Sequence, residues 1–409
     1  MAIEYGGHWF RLDLSNPFLD KGRLDPGTEL LLREVPEMAA SPQFMPSSSG
    51  ADREHGRGRI LVDYSGGHGV AGVLLGAHFQ RVLSVTDNYL TAQAVATLAR
   101  RNGMPHCEPV LLPLLPEVRG DHWDSLSRSA TAVTANLRFI KGKERFPILL
   151  AQAAGFLTPE GALLVVGHKT HSIKPFEKMA GDHFARVSKI RRKSGHTLLC
   201  CEKPLGPPRI VPTRPTGDSD ARPIEVTTQD PHDGTTLRFR AAPGVFAAER
   251  LDEGTTLLLE EMEVGDASTI CDLGCGAGPL GIAAAHRAPR ARVTMVDINQ
   301  TAVYSAGINC RLNEITNAVC GVADGLAGFP ADSFDTILCN PPFHLEHLAD
   351  TETAQRLIAE SYRALRSHGS LQLVANRFLP YEQQFLKVFG NYRIKTQGPR
   401  FKVLIGVKE

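Results

Sequence analysis

Nowhere does the chain run apolar for the roughly 18 positions that a membrane-spanning helix requires. The opening MAIEYGGHWFRLDL has neither the basic leader nor the apolar core of an export signal. A cytoplasmic location and no membrane contact are therefore expected. Cysteine is present eight times, but without a CxxC pair or a His/Cys metal spacing. No metal is expected, and the thiols, several of which sit in apolar strand-like runs, read as buried and reduced. Strong charge of either sign is missing too, since the formal net charge is +1. Residues 1–203 carry 25 Lys+Arg against 20 Asp+Glu, or +5, and residues 204–409 carry 20 against 24, or −4. A polyanionic partner would find its handle in the first half. With 42% apolar residues and 409 positions, the chain suits two or three globular domains.

What is present is present twice. RLDPGTELLLRE from Arg23 returns as RLDEGTTLLLEE from Arg250, identical at nine of twelve positions. VDYSGGHGVAG (Val62 to Gly72) matches CDLGCGAGPLG (Cys271 to Gly281), which sets Asp87 opposite Asp297 further on. Short β-branched runs alternate with amphipathic stretches in both halves. This predicts an α/β fold made of two tandem Rossmann-like domains from an internal duplication, with mostly parallel sheets and an antiparallel C-terminal strand. Residues 1–203 form the first domain, the Pro-rich 204–222 a linker, and 223–409 the second domain. A polar segment, 42–59, interrupts only the first copy and reads as a loop.

In the second half, ICDLGCGAGPLG is strand, glycine turn and helix, and Asp297 ends the next strand about twenty residues on. Glycines let the backbone approach a nucleoside, while the carboxylate accepts from ribose hydroxyls. The string GAGPLG also fits the pattern of NAD binders. The form DLGCGAG, with ADG (Ala323 to Gly325) after the third strand, instead resembles the S-adenosylmethionine site of methyltransferases. The first copy has Ser65 for the first glycine, and ANLRF (Ala135 to Phe139) where the second has CNPPF; catalysis is not expected there.

The string ILCNPPFHL (Ile337 to Leu345) follows a greasy strand with an asparagine, two prolines and an aromatic. Prolines withdraw donors, so the loop is rigid and offers mainly acceptors. An exocyclic amine is a poor nucleophile because its lone pair is delocalised. The Asn340 side-chain oxygen and the Pro341 carbonyl can hold its two N–H groups, with Pro342 stiffening the loop and Phe343 stacking on the base. His344 is more often a structural residue than a base at such a position.

With PGVFAAERLDEGTTLLL (Pro243 to Leu259), DLGCGAGPLG, VDIN, NPPFH, VANRFLPYE (Val374 to Glu382) and FKVL (Phe401 to Leu404), the chain resembles the RsmC/RlmG family of ribosomal RNA guanine-N2 methyltransferases over nearly its whole length. The resemblance implies a degenerate first methyltransferase-like domain and an active class I methyltransferase domain after it. It implies S-adenosylmethionine as cofactor, held by Phe246, Thr255, Asp272, Gly274, Cys275, Gly276, Gly278, Asp297, Ile298, Ala323, Asp324 and Asn340, with Val245 nearby. Leu345-Glu346-His347 departs from the glycine usual after the histidine, which bears on the target nucleotide more than on the chemistry.

The expected reaction is methylation of a guanine N2 in 16S or 23S ribosomal RNA. The alternatives are amino-methylation of protein glutamine or DNA adenine and, from another class, a non-catalytic RNA-binding or assembly factor. Guanine N2 is normally paired, so an unpaired or flipped base must be presented. Lys141, Lys143, Arg145, Lys169, Lys189, Arg191, Arg192 and Lys193, in the first half, are the candidate phosphate contacts. The partner is ribosomal RNA or a subunit, and a monomer is expected because the duplication already provides two lobes.

Overall fold

The computed structural model describes residues 2–12, 19–20, 23–41, 59–64, 66, 69–114, 127–140, 142–170, 173–205, 224–243, 245, 251–266, 268–341 and 348–409. The chain divides into two compact units, residues 1–221 and 222–409. Most of the linker, and the 42–59 loop apart from Arg59, lie outside the described residues.

The first unit holds strands β1 (Ile60–Asp63), β2 (Arg81–Thr86), β3 (Cys107–Leu111), β4 (Ala130–Asn136), β5 (Leu157–His168), β6 (Phe184–Lys193) and β7 (His196–Pro204). They form one sheet in the order 3-2-1-4-5-7-6. The second unit repeats this with β8 (Thr269–Leu273), β9 (Arg292–Asp297), β10 (Ala318–Val322), β11 (Phe334–Cys339), β12 (Leu365–Asn376), β13 (Arg393–Gln397) and β14 (Phe401–Val407), in the order 10-9-8-11-12-14-13. In each sheet only the last strand of the chain runs against the others, inserted between the two before it. The expected duplicated, mostly parallel α/β architecture is therefore what the chain adopts.

Central strands are largely buried because helices cover both faces. All seven residues of β4 are buried, as are Ile337, Leu338 and Cys339 of β11. The helices of the first unit are α1 (Pro26–Ala39), α2 (Val70–Leu75), α3 (Tyr89–Arg101), α4 (Phe146–Phe156) and α5 (Ile173–Ala180). Those of the second are α6 (Glu253–Glu261), α7 (Pro279–Arg287), α8 (Gln300–Leu312), α9 (Leu348–Ala364) and α10 (Tyr381–Phe389). The repeated RLDxGT places an aspartate as N-cap in both copies. Asp25 accepts from the Gly27 and Thr28 amides before α1, and Asp252 from Gly254 and Thr255 before α6.

A hairpin, Ile224–Gln229 with Thr236–Ala241, completes the second unit. It is tied to α8 by Asn309 and Asn313, which exchange hydrogen bonds with the Arg240 and Arg238 backbone. It is tied to α7 by an Asp230–Arg287 ion pair at 2.6 Å, buried on both sides.

Candidate active site

β8 lies at the centre of its sheet, with β9 on one side and β11 on the other. Successive connections leave it in opposite directions, so a crevice opens above its carboxyl end. Into this crevice project the turn after β8, the acid ending β9 and the asparagine after β11.

The turn takes left-handed backbone at Gly274, Gly276 and Gly278, with φ of +76°, +55° and +91°, a region closed to most side chains. A Cβ added at Gly274 or Gly276 would meet nothing within 4 Å, so the backbone here borders open space. The Gly274 and Cys275 amides donate to the Val296 carbonyl, and the Gly276 amide donates to Asp297 Oδ2 at 2.9 Å. Asp297 Oδ1 accepts from the Asn299 amide, also at 2.9 Å. Both carboxylate oxygens are thus held by backbone amides, which fixes the carboxylate at the mouth of the turn. Burial pushes Asp297 above the usual carboxylate range, against the pull of these amides. Ile298 is half-buried beside it.

Asp272 is deeply buried and accepts from the Gly281 amide at 2.8 Å through Oδ2, while its Oδ1 has no partner. Desolvation, with a lesser push from the Asp297 charge, raises its pKa to about 7. An unsatisfied buried carboxylate oxygen fits a site completed by a polar or cationic ligand group. Ala323 is bonded through its amide to the Asp297 carbonyl, and Asp324 follows it, paired at 2.6 Å with Arg356 of α9.

Asn340 donates through Nδ2 to Thr255 Oγ1 at 2.9 Å and to both Asp252 oxygens at 3.3 Å. The Thr255 hydroxyl donates in turn to Asp252. Nδ2 is therefore committed to the protein, and Oδ1, buried and without a partner, is the atom left to accept. Pro341 is buried beside it. Phe246, Pro342, Phe343 and His344 lie outside the described residues; Val245 is buried.

The first unit builds the same frame and closes it. Asn136 Nδ2 donates to Asp25 Oδ1 at 3.1 Å and Thr28 Oγ1 at 3.4 Å, but Asn136 Oδ1 accepts from the Arg138 amide at 3.1 Å. Asp87, the counterpart of Asp297, is ion-paired with Arg145, both side chains being largely buried. Arg145 is thus a correction to the expected set of exposed cations: a carboxylate at the strand end draws it inward. Lys189, Arg191, Arg192 and Lys193 lie exposed on edge strand β6, with Lys189 paired to Glu177 and Arg191 to Glu34. Lys143 and Lys169 are also exposed, and Lys141 lies outside the described residues.

Asp252 and Arg356 were not anticipated. Asp252 could have been found, since it is invariant between the two copies of RLDxGT; Arg356 carries no local signal. Among the described residues no cluster of three or more potential ligands could hold a metal, and no helix is long and apolar enough to cross a membrane.

Residues 236–405 match the family model described as methyltransferase small domain. The chain is 32% identical over 270 residues to ribosomal RNA small subunit methyltransferase C of Shewanella amazonensis, covering 66% of this chain and 76% of that protein. It is 30% identical over 339 residues to ribosomal RNA large subunit methyltransferase G of Pseudoalteromonas translucida, covering 80% of each. In fold it is similar to a T. thermophilus 16S rRNA N2 methyltransferase (RsmC) solved with AdoMet and guanosine. That similarity has a TM-score of 0.72 at 22% identity and covers 100% of this chain and 98% of that one.

Proposed function

The chain belongs to the family of ribosomal RNA small subunit methyltransferase C and large subunit methyltransferase G, and from that membership we propose that it methylates the exocyclic N2 amine of a guanine in ribosomal RNA. S-adenosylmethionine supplies the electrophilic methyl group. The observation that carries the reading is Asn340 Oδ1, buried, unpartnered and fixed in orientation by Asp252 and Thr255. An amine N–H donated to this oxygen, and a second to the Pro341 carbonyl, hold the nitrogen with its lone pair out of the ring plane. No strong base is needed, because the proton leaves a nitrogen that has already become cationic.

The second domain, residues 223–409, is the catalytic one in this reading. The Gly274–Gly278 turn cradles the cofactor with Cys275, Asp297 with Ile298 takes the ribose, and Ala323-Asp324 borders the adenine. Asp272, Thr255 and Phe246 complete the pocket, and Pro342 and Phe343 the base site. The first domain, residues 1–203, joined through 204–222, serves as RNA platform through Lys141, Lys143, Lys169, Lys189, Arg191, Arg192 and Lys193, whose phosphate contacts weaken with salt. The protein acts as a monomer in the cytoplasm, where ribosomal RNA is found.

The test is transfer of labelled methyl from S-adenosylmethionine to ribosomal RNA and subunits from cells lacking this chain, followed by nucleoside analysis. N2-methylguanosine is expected, and Asn340→Ala is expected to abolish it with cofactor binding intact. Label only in protein glutamine or in adenine would overturn the assignment.

A further inference from the structure

β12 and α10 are joined by Arg377-Phe378-Leu379-Pro380, within the VANRFLPYE segment that the reaction leaves unexplained. Phe378 is 61% exposed and makes no ring contact among the described residues. Exposed apolar residues are common, so exposure alone assigns nothing. The loop that carries it, however, is held at four points. The Arg377 amide donates to the Arg400 carbonyl at 2.8 Å, Leu379 to Asn376 at 3.0 Å, and Tyr381 to Leu379 at 2.9 Å. Lys402 Nζ donates to the Leu379 carbonyl at 2.8 Å and pairs with Glu382 at 2.5 Å.

Lys402 is 3% exposed, on a strand whose next residues, Val403 and Leu404, are core. Burying an ammonium is expensive, and replacing such a pair by apolar groups often stabilises a protein. Here both partners of the ammonium belong to the loop and the helix start after it, so the buried charge fixes the rim of the sheet.

The first unit provides an internal control. There β7 pairs with β5 so that His196 faces His168, as Phe401 faces Asn376 in the second unit. The Lys169 amide donates to the Gly195 carbonyl at 3.1 Å, the counterpart of Arg377 to Arg400. Thr170 stands in the place of Phe378, Thr197 in that of Lys402 and Lys174 in that of Glu382. At the matched positions the first unit therefore has neither the phenylalanine nor the lysine–glutamate pair, which stand in the unit that keeps NPPF.

The loop also stands beside the base site. β12 pairs with β11 in parallel, Cys339 level with Leu373, so Asn340 is level with Val374. Asn376 lies two residues further along, roughly 7 Å beyond. Arg377, exposed next to the ring, has no ion-pair partner among the described residues.

Resting on the functional reading above, we propose that Phe378 is a stacking platform for a nucleobase flanking the target guanine, with Arg377 on the adjoining phosphate. Lys402 is the positioning residue that holds it. A guanine taken out of pairing leaves its neighbours unstacked, and an aromatic face accepts any base.

The experiment is steady-state methylation, by the full chain, of ribosomal RNA and subunits from cells lacking it. It compares Phe378→Ala, Phe378→Trp, Lys402→Met and the Phe378→Ala/Lys402→Met double variant. Phe378→Ala is expected to raise KM for RNA about 10-fold with kcat and cofactor affinity unchanged, and Phe378→Trp to keep a wild-type KM. Lys402→Met should raise KM comparably, and adding Phe378→Ala to it should change little more. A wild-type KM for Phe378→Ala overturns the subsite even if Lys402→Met does not fold. Fully additive effects overturn the role of Lys402. No transfer by the wild type to any RNA removes the functional reading, and this inference with it.

Discussion

The Arg138 amide donates to the side-chain oxygen of Asn136 at 3.1 Å, closing an Asx turn in the first unit. The residue two places after Asn340 is Pro342, which has no N–H to give. Asn340 Oδ1 correspondingly has no partner, although the amide group is anchored as in Asn136. A proline at this place removes the donor that would otherwise occupy the acceptor needed by the substrate.

Pro342→Arg, which restores the first unit's residue, is therefore expected to slow methyl transfer about 100-fold, the scale of losing one aligned polar group at a reacting centre. Single-turnover rates with saturating cofactor check this, with calorimetric cofactor affinity expected to be unchanged. A wild-type rate would mean that the oxygen is kept free by other means.

Thr255 receives the Asn340 amide and passes a hydrogen bond to Asp252. Thr255→Val keeps the shape and removes both bonds, leaving Asn340 Nδ2 only its longer bonds to Asp252, so its orientation is less firmly held. A fall of about 10-fold in kcat is expected, together with about 1–2 kcal/mol of stability. Paired kinetic and urea-unfolding measurements separate the two effects.

The Asp230–Arg287 pair joins the entry hairpin to α7, with almost no solvent contact. Asp230→Ala leaves the guanidinium buried and unpaired and is expected to destabilise the second unit by about 3–5 kcal/mol. Asp230→Leu with Arg287→Met should recover part of this, as denaturant titration would show.

Asp272 titrates near 7 in the folded chain against an ordinary value of 3.8. Between those values the folded state binds a proton that the unfolded state does not, so this group's contribution to stability falls as pH rises through that window and is level above it. Asp297 is shifted the same way. Melting temperatures from pH 4 to 8 should show Asp272→Asn gaining on the wild type as pH increases, in the absence of cofactor. An equal pH dependence for both proteins would contradict the burial of the charge.

The duplication and the α/β class were legible because they rest on local pattern: repeated strings, strand-like apolar runs and turns of glycine. Asn340 drew notice for a local reason as well, since two prolines after a strand restrict the backbone by their own chemistry. Arg145 was misread because a charged side chain looks the same in sequence whether it faces solvent or a carboxylate 58 positions away.

The sequence by itself determined that the fold occurs twice, that only one copy has a full glycine turn, and that only this copy follows its asparagine with prolines. These are properties of neighbouring residues, whose backbone limits act without a partner. Tertiary structure decided which acceptors remain free. Asp252 reaches Asn340 across 88 positions and Lys402 reaches Glu382 across 20, contacts that no local preference encodes. They exist because the strand order brings distant loops to one edge of the sheet, where a buried polar atom must find a partner or be left for a ligand.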